Sequence, residues 1–121
     1  MKGLGTHILI ELYGCDSDLL NDAVRIKREM VRAAEIIRAT VISSHAHTFE
    51  PHGVSAVVII AESHLTMHTW PEHGYAAVDL FICTNREDPG LAVQHLQNIL
   101  QADQVSVTEI KRGILAGQDK A

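Results

Sequence analysis

Between residues 6 and 43 the apolar residues of this chain change period twice, and those changes limit the folds open to it. From Thr6 to Tyr13 they alternate, with Ile8, Ile10 and Leu12 on one side and His7, Leu9, Glu11 and Tyr13 on the other, the pattern of a half-buried strand. Then Leu19, Ala23, Ile26, Met30, Ala33 and Ile37 recur at spacings of 4, 3, 4, 3 and 4, while Asp22, Arg25, Arg28, Arg32 and Arg38 fill the opposite side. That is an amphipathic helix, with Asp16, Ser17 and Asp18 as its expected N-cap. Extended patterns return at Val41–Ser43, Val54–Ala61, Leu65–Trp70 and Tyr75–Thr84. Asp88 and Pro89 then signal a second helix that turns Ala92, Leu96 and Ile99 inward, and Val105–Ile110 forms a last strand before a frayed tail at Ala116–Ala121. The order β-α-β-β-β-β-α-β predicts an α+β two-layer sandwich, an antiparallel sheet with two helices on one face.

A chain of 121 residues, 46% of them hydrophobic, suffices for one domain with a core, and the expectation is a single domain over 1–121. Fifteen acidic against ten basic residues, with no Lys/Arg run beyond two, argue against a nucleic-acid or anionic-membrane partner. The apolar run near the N-terminus is too short for a signal-peptide core or a membrane span, which predicts a cytoplasmic protein. Cys15 and Cys83 lie far apart with no CxxC spacing, so each is expected to be a thiol.

The hairpin sharpens the reading. If Pro71–Gly74 form its turn, Leu65 faces Leu80 and Met67 faces Val78, and Cys83 falls opposite Glu62 and diagonal to Ser63, roughly 5 to 8 Å away. A register slip of one residue would exchange the faces but keep Ser63 and Cys83 close. His68 differs: five residues of extended chain span roughly 16 Å, too far for a hydrogen bond to Ser63 of the same strand. If His68 or Ser55 acts on Ser63, a second copy of the protein has to supply it.

The stretch ESHLTMHTWPEHGYAAVDLFIC, with support from HTFEPHGVS and THILIELYGC, resembles the bacterial and archaeal S-adenosylmethionine decarboxylases, pyruvoyl-dependent enzymes of polyamine synthesis, over about Leu4 to Ile110. The resemblance implies self-cleavage at the Glu62-Ser63 bond, with Ser63 converted to a covalent pyruvoyl cofactor. It implies that Ser55 and His68 assist the cleavage, that Cys83 donates a proton during decarboxylation, that Phe49 stacks on the adenine, and that Glu72 binds the ribose hydroxyls. It also implies a homodimer whose sites are shared, Ser63 and Cys83 from one protomer and Phe49, Ser55, His68 and Glu72 from the other. Ala61 stands where that family often has a serine.

The chemistry suits the residue types. A serine hydroxyl can attack the preceding carbonyl if a base takes its proton and donors hold the oxyanion, and a thiol is mostly protonated at neutral pH, as a proton donor must be. Taken singly, the same residues have plainer readings. Cys83 is a core thiol, His68 a strand histidine, Phe49 and Trp70 core aromatics, Glu72 a solvated carboxylate, and His7 with Glu11 a structural pair. The plain reading is kept for Trp70 and for His7 with Glu11. Two rival functions remain: the same machinery acting on ornithine or arginine, and a histidine-rich metal-binding dimer that never cleaves. His45 with His47, or His64 with His68, share strand faces, but no HExxH or cysteine pair supports a metal site, and none is assigned.

Overall fold

The computed structural model describes residues 3–61, 63–83 and 88–115. Six strands, β1 (Gly5–Tyr13), β2 (Val41–Thr48), β3 (Val54–Ile60), β4 (Ser63–Trp70), β5 (Tyr75–Ile82) and β6 (Gln104–Arg112), form one sheet in the order β2-β3-β4-β5-β1-β6, and every neighbouring pair is antiparallel. Helices α1 (Ala23–Ile36) and α2 (Gly90–Leu100) cover one face of it.

Strand alternation selects that face. Ile8, Ile10 and Leu12 of β1, Val54, Ala56, Val58 and Ile60 of β3, Leu65 and Met67 of β4, and Ala76, Val78 and Leu80 of β5 are buried in one cluster. The helices close it with Ile26, Met30, Ala33 and Ala34 of α1 and Ala92, Val93, Leu96 and Leu100 of α2. Ile99, expected to point inward, is only partly buried at the cluster's edge. The edge strands β2 and β6 contribute little to the core.

The hairpin register is the expected one, Leu65 facing Leu80 and Met67 facing Val78, with no slip. Its connection is a single 3-10 turn at Pro71–His73 closed by Gly74 at φ +59°, the left-handed conformation that glycine tolerates best. Several boundaries differ from expectation. Asp16 does not cap α1; its carboxylate accepts from the backbone N–H groups of Asp18 and Leu19 and starts a separate 3-10 turn at Leu19–Asn21. The cap is Asp22, whose side chain accepts from Arg25 N–H at 3.1 Å. Strand β2 runs to Thr48, because polar residues on an exposed edge still pair through their backbones, although their sequence shows no apolar alternation. β4 begins two residues earlier than expected, at Ser63, and β5 ends at Ile82, leaving Cys83 just past the strand. Glu62, Thr84 and the tail at Ala116–Ala121 lie outside the described residues.

Candidate active site

The face of the sheet away from the helices carries the polar residues of interest. Ser55 and His68 are cross-strand partners in the β3–β4 ladder, and that pairing brings Ser55 Oγ within 2.7 Å of His68 Nδ1. Beside them Phe49, His52, Trp70 and Glu72 line a cavity of about 450 Å³, in the size range of small-molecule pockets. The neighbouring Thr69 faces the core and fixes the strand: its hydroxyl donates to Leu20 O at 2.7 Å and accepts from Val54 N–H at 2.9 Å. The Phe49 ring is met by His47 edge-on at 4.6 Å, and Glu72 lies 3.1 Å from His52 Nε2. Phe49, Ser55, His68 and Glu72, four of the residues singled out in the sequence, therefore share one cavity.

Ser63 and Cys83 are at the other end of the same strands. Ser63 pairs with Ile60 across a tight turn, and its hydroxyl donates to Ala61 O at 3.3 Å, so it already lies along the backbone just ahead of it. Extending the β4–β5 register by one step sets Ile82 opposite Ser63 and Cys83 diagonal to it. The register brings their backbones together at the end of the sheet, while strand phase groups Ser63 with Leu65 on the helix side and Cys83 with Phe81 on the open side. Cys83 is exposed. Cys15, by contrast, is buried, and burial with the nearby Asp103 charge pushes its thiol up to about 11, an inert structural group. His68 is five residues from Ser63 along β4, roughly 16 Å, and the structure does not bring them together within one protomer.

Between the two ends lies a polar row given little weight in the sequence. His7 Nε2 is 3.2 Å from Asp79 Oδ1, and Thr66 donates to the other oxygen of Asp79 at 3.2 Å. Tyr75 donates to Glu11 at 2.6 Å, and burial, reinforced by the Glu11 carboxylate, raises the phenol's pKa. His7 and Glu11 each have a side-chain partner on this face. Trp70 is not a core residue: it is 40% exposed on the open face and stacks on Tyr75 at 5.3 Å. The period of β4 carried that signal, since Trp70 is in phase with His68 and out of phase with Met67. Tyr13, Ile59 and Ile110 are also exposed on this face, so it combines apolar area with half-buried polar pairs. Among the described residues no group of three or more His, Cys, Asp or Glu could hold a metal ion, and no helix is long and apolar enough to cross a membrane.

Comparison with known proteins finds relatives over nearly the whole chain. The sequence profile of the S-adenosylmethionine decarboxylase family matches residues 6–113. The S-adenosylmethionine decarboxylase proenzyme of Thermotoga petrophila is 50% identical over 113 residues, 93% of this chain and 87% of that one. The proenzyme of Caldicellulosiruptor saccharolyticus is 50% identical over 114 residues, 94% of this chain and 92% of that one. The crystal structure of the adenosylmethionine decarboxylase from Aquifex aeolicus superposes with a TM-score of 0.87 at 36% identity over 98% of both chains. At the level of fold alone, 84% of this chain matches 44% of a Trypanosoma brucei monomer at a TM-score of 0.64 and 18% identity. The coverage, the identity and the close superposition lead to one conclusion: the chain belongs to the S-adenosylmethionine decarboxylase family.

Proposed function

We propose that this protein is a self-processing decarboxylase of S-adenosylmethionine that cuts itself between Glu62 and Ser63 and works as a homodimer with two shared sites. The observation that carries this reading is the division of the site along β4. The Ser55–His68 pair lines a nucleoside-sized cavity with Phe49 and Glu72 at one end, and Ser63 and Cys83 occupy the other. Two copies packed through their open faces, related by a two-fold axis across the middle of β4, bring opposite ends together. The apolar area left uncovered there by Tyr13, Ile59, Trp70 and Ile110 suits such a contact.

In each shared site the Ser63 hydroxyl attacks the Glu62 carbonyl, and the amide becomes an ester as the C–N bond breaks and the nitrogen gains a proton. The Ser55–His68 pair of the other protomer takes the hydroxyl proton and donates to the oxyanion. Loss of the Ser63 α-proton then expels the Glu62 carboxylate and leaves dehydroalanine, which hydrolyses with release of ammonia. Ser63 fits this role because it opens a strand, its hydroxyl reaches back along the backbone, and the exposed Cys83 is diagonal to it. Residue 63 would hold the pyruvoyl group so formed, whose ketone would supply the site for the substrate's α-amine and a sink for the electron pair left by carbon dioxide. Phe49 and Glu72 hold the adenine and ribose, and Cys83 holds the proton delivered to Cα. A cytoplasmic setting keeps that thiol reduced. The test is release of carbon dioxide from carboxyl-labelled S-adenosylmethionine, with labelled ornithine and arginine in parallel. Release from S-adenosylmethionine alone is expected; release from either amino acid in its place overturns the substrate assignment.

A further inference from the structure

The loop between β2 and β3 is drawn tight at both ends. Phe49 N–H donates to Gly53 O at 2.8 Å, and Gly53 N–H donates to the Asn21 side chain at 2.9 Å. Gly53 has φ +109°, a conformation that few side-chain-bearing residues adopt, so the loop is specified at that point. Its tip carries His52 against the Pro71–His73 turn, where His52 Nε2 meets Glu72 Oε1 at 3.1 Å. Both side chains line the Phe49 cavity.

A carboxylate that grips two vicinal hydroxyls must hold one orientation while it does so. Glu72 is partly exposed on a short turn and has three side-chain torsions, and among the described residues His52 is its one polar side-chain contact. Without that contact the side chain would be spread over several rotamers, and ordering it would count against binding. Each carboxylate oxygen has two lone pairs, so the His52 contact at Oε1 leaves both oxygens able to accept from hydroxyls.

We propose that His52 is a positioning residue for nucleoside recognition: its Nε2, 3.1 Å from Oε1, makes the polar contact that holds Glu72 in the rotamer presented to the ribose 2′ and 3′ hydroxyls. The inference rests on the reading of Glu72 as the ribose ligand.

The experiment compares adenosine with 2′,3′-dideoxyadenosine as ligands of the full, self-cleaved protein by calorimetry. Wild type prefers adenosine. His52→Leu loses roughly three- to tenfold of that preference, the size of one partly exposed charge-assisted bond, while its affinity for the dideoxy compound is unchanged. His52→Gln, whose amide nitrogen sits at a similar reach from the backbone, retains most of the preference. In turnover of S-adenosylmethionine the loss in His52→Leu falls in KM and not in kcat. If His52→Leu does not give a folded dimer, His52→Gln against the shorter His52→Asn answers the same question, with the preference expected to fall only in Asn. A wild-type preference in His52→Leu or His52→Asn, alongside its loss in Glu72→Gln, overturns the role of His52 and leaves the Glu72 reading standing. A wild-type preference in Glu72→Gln itself overturns both.

Discussion

The proposed sharing of sites has a consequence that mixing two inactive variants exposes. On the proposed reading Ser63→Ala removes the attacking hydroxyl and His68→Ala removes the assisting imidazole, so neither homodimer should cleave efficiently. Five residues separate these positions on β4, and at about 3.3 Å per residue they lie roughly 16 Å apart, whereas proton transfer needs heavy atoms about 3 Å apart. Side-chain rotation cannot close a gap of that size. In a heterodimer of the two variants, one site combines Ser63 of the first chain with His68 of the second and is intact, and the other lacks both. The Ser63-bearing chain, which carries His68→Ala, should therefore be cut, and its partner should stay whole. Co-expression with two different affinity tags, tandem purification and intact-mass measurement read this directly, with as much as half of all chains cleaved. Verified heterodimers in which no chain is cut would show that serine and histidine act within one protomer, and the two-ended geometry would be wrong.

Cys83→Ala should cleave to the normal fragments yet lose productive turnover, because the thiol acts only after the cofactor has formed; decarboxylation at the wild-type rate would assign the proton to another group. Leu65 is 1% exposed between Val58 and Leu80 at the sheet centre, and Leu65→Ala should cost about 3 kcal/mol in urea unfolding, where a loss below about 1 kcal/mol would contradict the packing described. Burial pushes the Glu29 carboxyl up, but hydrogen bonds from His95 and Arg28 and the charge of Arg32 outweigh it and hold the carboxyl below its ordinary range. Its stabilisation is complete above the unfolded value of about 4.3 and is lost as pH falls through the lower folded value. Glu29→Gln should therefore lose more stability at about pH 7 than at about pH 3, and equal losses at both would refute that assignment.

The elements that bury a face were legible in the sequence, since the alternation in β1, the apolar runs of β3 and β5 and the 4-3-4 spacing of α1 are records of burial. The hairpin register followed from two apolar pairs, and the separation of Ser63 from His68 followed from the rise along a single strand. The length of β2 was not legible, because Ser43, Ser44, His45 and His47 are held by backbone pairing at an edge and leave no apolar pattern. The cap of α1 was misplaced because Asp16, Asp18 and Asp22 all have the chemistry of a cap, and only the intervening 3-10 turn decides among them. The meeting of Ser55 with His68 depends on the β3–β4 register, for which the sequence offers no marker as clear as Pro71–Gly74. The contact of His52 with Glu72 joins two loops, and period carries no information about loops.

The central claim, that Ser63 is consumed to make the cofactor, is tested most directly by the intact mass of the purified protein under denaturing conditions. The account predicts two species, residues 1–62 and residues 63–121, whose masses sum to that of the chain plus water less ammonia, the second resisting amino-terminal sequencing because it begins with a pyruvoyl group. Ser63→Ala should give one uncut chain. A wild-type protein that remains a single full-length species after prolonged incubation, or a second fragment that begins with an ordinary serine amine, would contradict the claim.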